Sequence, residues 1–293
     1  MAISPYPACV SLPELEQPFP SVLEFLVHRF PRMGRACWEM RVEQGKVLDE
    51  EGAPITSVTP YRPRQRIFYF REVEHERIIP FSEEILFQND QFLVACKPHF
   101  LPVTPGGAYV EECLLHRLRK RTGIDHLVPL HRLDRDTAGV VLFSVNPETR
   151  GVYGGLFKNG GIEKIYQAIS AGSASSGEAE WRVENRLAAA QEWFRTRVVP
   201  GAPNARSHIR LMEVKDGLSM FRLSPLTGKT HQLRVHMSGL GFGIVNDRYY
   251  PRLQDERPDD FGKPLQLLAK SVKFRDPISG EPFEFESPRT LLW

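Results

Sequence analysis

The stretch His131-Arg132-Leu133-Asp134-Arg135-Asp136-Thr137-Ala138-Gly139 runs straight into Val140-Val141-Leu142-Phe143, and it constrains this chain more than any other. An apolar run of that length and β-branched content reads as a buried strand. The turn before it therefore delivers charged side chains to the edge of a buried sheet, which is one way to hold a nucleophile or a base. Charge beside a core is costly unless something pairs with it, so Asp134 needs a dedicated partner. The best candidate lies far along the chain, in Leu226-Thr227-Gly228-Lys229-Thr230-His231-Gln232-Leu233-Arg234-Val235-His236.

Together these two segments resemble the signatures of the RluA-type pseudouridine synthases, which isomerise uridine to pseudouridine in ribosomal and transfer RNA. The first signature reads H-R-L-D-x-x-T-S-G and is met except that Ala138 replaces the small Ser. The second, roughly G-R-T-H-Q-I-R-V-H, is met from Gly228 to His236 with conservative changes at Lys229 and Leu233. Lys164-Ile165-Tyr166-Gln167-Ala168 resembles the family's K-x-Y-x-A. Asn89-Asp90 with Lys97-Pro98, and Gly243-Ile244-Val245-Asn246-Asp247-Arg248-Tyr249-Tyr250, add support in the family's order. One departure is Leu268, where many members carry a His.

The resemblance implies an α+β pseudouridine synthase fold and a cofactor-free, metal-free isomerase acting on uridine in structured rRNA or tRNA. It makes Asp134 the catalytic residue and Arg234 its partner, since an opposite charge favours the ionised carboxylate and fixes its direction. Tyr166 lies against the target base, and Leu233 packs on its other side. Arg132 replaces the extruded base in the stack, and His131 and Thr137 join it in substrate binding. Pseudouridine formation breaks the ribose C1′–N1 bond, turns the base and rejoins it through C5. That chemistry needs one well-placed carboxylate and no redox step. Whether Asp134 attacks the ribose, attacks the base or abstracts a proton stays open.

Composition sets the frame for that reading. The chain has 293 residues, which suits two domains, or one large domain with an appendage. Hydrophobic residues at 41% and charged residues at 25% are ordinary for a soluble globular protein. No stretch approaches the roughly 18 to 20 apolar residues that span a bilayer. Residues 1–20 carry no basic side chain and are broken by prolines, which argues against a signal peptide. Cys9, Cys37, Cys96 and Cys113 show no C-x-x-C spacing and read as reduced thiols of a cytoplasmic protein. A net charge of +2 is not the footprint of a protein that binds RNA by charge alone. RNA contact must come from local clusters, of which His116-Arg117-Leu118-Arg119-Lys120-Arg121 and the Arg62, Arg64, Arg66 group stand out.

Two domains are expected. Residues 1–74 form a small N-terminal α/β appendage: a Pro-rich arm to about residue 19, a helix over 22–29 capped by Ser21, a helix over 35–44, then strand, turn and strand. That order is also that of the small S-four-type RNA-binding domain. Residues 75–293 form the catalytic domain, with a mixed, mostly antiparallel sheet and helices over 111–121 and 148–157. Strands are expected at 85–87, 92–95, 140–143, 164–169, 208–212, 219–223, 231–236 and 271–274. The spacer 170–205 reads as a strand pair with a substrate-facing loop.

Three competing signals fall short. Asp134 and Asp136, two apart on an extended segment, need not converge on one substrate as glycosidase carboxylates do. His231 and His236 on a strand would point to opposite faces, and with His131 they lack a supporting metal-ligand pattern. Gly239-Leu240-Gly241-Phe242-Gly243 reads as a turn, because it follows a strand and opens no helix. The rival functions are an RNA-binding protein of the same fold without catalysis, and a nucleoside hydrolase that releases free base. A soluble monomer with RNA as its partner is expected.

Overall fold

The structure is a computed structural model and describes residues 2–171, 179–255 and 258–292. It divides into two compact units, Met1–Arg77 with Pro105–Glu111, and Ile78–Thr104 with Glu112–Trp293.

The first unit contains β1 (Ala2–Ile3), β2 (Ala8–Ser11), α1 (Val22–Arg29), α2 (Gly34–Glu43), β3 (Val47–Leu48), β4 (Arg66–Tyr69) and β5 (Glu72–Val73). Helix α1 starts where its sequence dictates: Ser21 is extended, and its hydroxyl accepts the Glu24 N–H at 3.3 Å. Val22, Phe25 and Leu26 fall on one face and pack with Trp38 and Val42 of α2. Val47, Ile67 and Tyr69 complete this core from an antiparallel sheet ordered β2-β4-β3. The N-terminal arm is more than a surface loop, because residues 8–11 pair with β4 and Leu12 is buried. A short run with alternating exposure, flanked by Pro7 and Pro13, suits the edge of a sheet.

The second unit holds β6 (Glu84–Gln88), β7 (Phe92–Lys97), α3 (Leu114–Thr122), β8 (Val128–Pro129), β9 (Ala138–Ser144), α4 (Arg150–Lys158) and β10 (Ile162–Ala171). It continues with β11 (Glu180–Ala189), β12 (Thr196–Val199), β13 (Ala205–Lys215), β14 (Leu218–Pro225), α5 (Gln232–Gly239), β15 (Leu267–Arg275) and β16 (Pro282–Glu286). The strands form one sheet ordered β12-β11-β13-β14-β10-β15-β9-β7-β6, with β16 added to β15 and β8 to β9. Its pairs are antiparallel except β9 with β15, so the fold is the mixed, mostly antiparallel α+β arrangement expected. Strand β9 is buried along its length, as its unbroken apolar run requires. Phe92, Val140, Tyr153 and Phe274 centre one core cluster, while Ile209, Phe221 and Leu223 pack against Leu233 and Met237 of α5 in another.

The spacer expected as a strand pair contains β11 and β12, paired antiparallel, although residues 172–178 lie outside those described. One element differs in kind. Residues 231–236 are not a strand: His231 caps α5, and the turn holding Gly241 follows that helix rather than a strand. Leu233, Val235 and Met237 alternate with polar residues and mimic a strand's period. Gln232, Arg234 and His236 are buried too, so the segment is a helix buried on every side. The basic cluster on α3 is largely engaged within the fold. Arg117 bonds Glu112 and the carbonyls of Ile79 and Phe81, and Arg119 bonds the Leu127 carbonyl.

Candidate active site

The charged turn sits at the single parallel seam of the sheet. Ala138 and Gly139 of β9 pair with Leu268 and Ala269 of β15. Gly139 has φ +119°, and a Cβ there would run into the Ala269 backbone. Only glycine permits that approach, and residues 134–137 form the turn that leads into it. Thr137 N–H donates to the Asp134 carbonyl at 3.1 Å and closes the turn.

Asp134 meets the partner expected for it. Its Oδ2 lies 3.4 Å from Nη1 of Arg234, a single contact. The two-pronged grip of the guanidinium falls instead on Asp247, with Nε to Oδ2 at 2.8 Å and Nη2 to Oδ1 at 2.6 Å. Arg234 and Asp247 are both almost wholly buried, at 2% and 1% side-chain exposure, whereas Asp134 retains 24%. The N–H groups of Tyr249 and Tyr250 also donate to Asp247 Oδ1, and both rings lie against the guanidinium. Burial works against the Arg234 charge, but the bonds and charge of Asp247, then the charge of Asp134, raise its pKa above the ordinary value. Arg234 is thus a cation fixed by Asp247, with one N–H edge left for Asp134.

A cavity of about 100 Å³ opens beside this pair, lined by Arg132, Asp134, Thr137, Tyr166, Leu233 and Arg234, among others. Tyr166 comes from β10 at a bulge in its pairing with β15, the kind of irregularity that re-aims a side chain. Burial, then the Asp134 charge, push its hydroxyl pKa upward, so it is a neutral phenol at neutral pH. Leu233 enters from α5 and Arg132 stands exposed at the wall. His131 does not line this cavity. Its Nε2 accepts the Leu142 N–H at 3.1 Å, its ring stacks on Phe157, and burial lowers its pKa to about 3. His131 therefore braces β9 rather than facing the cleft. A larger hollow of about 550 Å³ lies in the N-terminal unit, but Glu39 and Glu43 are its only ionisable lining groups.

Sequence reasoning missed four supports of this site. Lys97 is fully buried and donates to the carbonyls of Pro98, Leu101 and Arg135 at 3.0, 2.6 and 2.9 Å. His99 Nδ1 donates to the Asp136 carbonyl at 2.7 Å, and Arg135 is gripped at both nitrogens by Asp259. His231 has a left-handed backbone, φ +55°, that few non-glycine residues adopt. It places Nδ1 2.9 Å from the Tyr250 hydroxyl and Nε2 3.8 Å from Asp134 Oδ2. The motifs around Lys97 and Asp247 signalled their presence, but nothing local showed what they would hold. Among the described residues, no group of His, Cys, Asp and Glu is arranged to hold a metal ion. Among the described residues no helix is long and apolar enough to cross a membrane.

A family described as RNA pseudouridylate synthase matches residues 91–239, just over half of the chain. An uncharacterized RNA pseudouridine synthase of Synechocystis is 25% identical over 251 residues, spanning 83% of this chain and 86% of that protein. Ribosomal large subunit pseudouridine synthase C of Escherichia coli K12 is 28% identical over 274 residues, spanning 90% and 84%. The solved structure of human RNA pseudouridylate synthase domain containing 1 superposes with a TM-score of 0.59 at 25% identity, covering 72% of this chain and 86% of that one. With its RluA-type motifs folded around one cavity, the chain belongs to the RNA pseudouridylate synthase family.

Proposed function

We propose that Asp134 is the carboxylate with which this isomerase converts uridine to pseudouridine in folded RNA. One observation carries the assignment: a part-exposed carboxylate faces a buried cation that Asp247 holds in place. Negative charge at Asp134 thus has a fixed counterpart within a cleft sized for a small ring. In this reading the target base enters between Tyr166 and Leu233, a sandwich worth roughly 1–3 kcal/mol of stacking. Extruding the base costs a few kcal/mol, and the exposed Arg132 guanidinium offsets part of that by occupying the vacated stack. Thr137 holds the turn and lines the cleft, while His131 acts through β9.

The reaction conserves every atom of the nucleoside except for exchange of the C5 hydrogen, so it calls for no cofactor. The first unit, two helices on a small antiparallel sheet, serves in this reading as an S-four-type RNA-binding module that helps choose the substrate. The enzyme is taken to work as a monomer in the cytoplasm, in keeping with four cysteines of which none is in a disulfide.

The deciding experiment is tritium release from bulk ribosomal and transfer RNA labelled at uracil C5, taken from a strain lacking this protein. Wild type is expected to release tritium and folded Asp134→Asn is not. Release by both removes Asp134 from its role. Release by neither favours an RNA-binding protein without catalysis, and free uracil in the products would mark a hydrolase.

A further inference from the structure

We infer that Trp193 is a stacking platform for a nucleobase flanking the target uridine. The inference rests on the reading above, in which the cleft receives a uridine from RNA. Trp193 is 64% exposed and is the one aromatic residue among the exposed large hydrophobics of the described chain. It sits in the loop 190–195 between β11 and β12, which is short and tethered. Ala190 N–H donates to the Arg195 carbonyl at 3.0 Å, and Arg195 N–H to the Glu192 carbonyl at 2.7 Å.

The same loop is tied to the cleft. The Arg195 guanidinium lies over the Tyr250 ring at 5.2 Å, and Thr196 N–H donates to the Tyr250 hydroxyl at 2.7 Å. That hydroxyl is the one bonded to His231. A second route runs through rings: Trp193 meets Phe194 edge-on at 5.7 Å, Phe194 meets Tyr249 at 5.2 Å, and Tyr249 lies 4.9 Å from the Arg234 guanidinium. An exposed indole on a stiff loop is thereby held three contacts from the cation that faces Asp134. That separation suits a neighbouring nucleotide rather than the target itself.

The chemistry of the surroundings selects the ligand. Every base has a π-face, so an indole binds nucleobases with little regard to sequence. Arg197, two residues on, is exposed and has no ion pair among the described residues, which leaves a cation for an adjoining phosphate. Gln191, Glu192 and Arg197 surround the indole with polar groups beside the exposed Val198, unlike the broad apolar patch a protein partner would need.

The test compares wild type, Trp193→Ala and Trp193→Phe on the C5-tritiated bulk RNA described above. Trp193→Ala is expected to raise KM about 5- to 150-fold, the loss of one stacked base, with kcat unchanged. Trp193→Phe should recover most of that loss. Indole fluorescence should be quenched on titration with the same RNA in wild type, and Trp193→Phe should lack that share of the quench. Unchanged KM in Trp193→Ala overturns the inference, as does a quench undiminished in Trp193→Phe. Should wild type release no tritium, the isomerase reading fails, yet the quench still decides whether a base stacks on Trp193.

Discussion

At the scale of single residues, two buried cations divide the task of holding Asp134: Arg234 faces the carboxylate, and Lys97 holds the backbone that carries it. Burial pushes Lys97 from its ordinary 10.5 down to about 7, with Asp136 and Asp134 opposing the shift. Between those pH values the unfolded chain binds a proton that the folded one lacks. This group's contribution to stability therefore rises with pH across the window. The neutral amine has lost one of its three N–H donors, so its hold on the Arg135 carbonyl weakens over the same range. Turnover should fall as pH rises above about 7 while the Lys97 contribution to the melting temperature moves the other way. Lys97→Met should lower turnover at pH 7 and remove that alkaline fall. Parallel pH–kcat and pH–Tm profiles check this, and a wild-type profile flat through the window would count against it. Asp134 and Arg234 were legible as a pair because each lies in a dense motif. That the guanidinium's fork belongs to Asp247 was not, since three carboxylates compete for it and only geometry ranks them.

Among the elements, the β9–β15 seam sets where the turn carrying Asp134 can lie. Gly139→Ala combines a strained φ with a collision against backbone, so it should destabilise the fold by about 3 kcal/mol or more. Gly151→Ala on α4, where an added Cβ meets nothing within 4 Å, is the matched control and should be neutral or stabilising by about 0.4–1 kcal/mol. Urea midpoints for the two variants measure the difference. The same seam explains two departures from the family pattern. Ala138, in place of Ser, pairs directly with Leu268, in place of the His many members carry. Both are fully buried and pack with Ile169 and Leu291, so the two departures meet in a single apolar contact. The departures are visible in the sequence, but their adjacency is not. Helix α5 was misread for a related reason: periodicity reports burial on one side, and it loses its meaning where tertiary packing covers every side.

For the whole molecule, 38 basic against 36 acidic residues make long-range attraction to RNA weak, so binding must rest on local contacts. In the N-terminal unit Arg62, Arg64 and Arg66 are all exposed; Arg64 and Arg66 are paired with Glu14 and Glu50, whereas Arg62 has no ion pair among the described residues. Arg62→Glu should weaken binding to bulk rRNA and reduce the slope of log K against log salt by about one. Turnover on a short uridine-containing oligonucleotide should not change. An unaltered slope would remove this unit from the RNA contact. By itself the sequence determined the buried strand β9, the capped helix α1, the α+β class and the set of motifs that meet at the cleft. These are local matters, written in apolar periodicity, caps and dense signatures. Only the tertiary structure decided that α5 is a helix, that His131 turns inward, that Lys97 and His231 attend Asp134, and that Asp247 fixes Arg234. Those outcomes depend on which distant groups compete for one donor or one buried site, and burial and distance settle that competition only once the chain has folded.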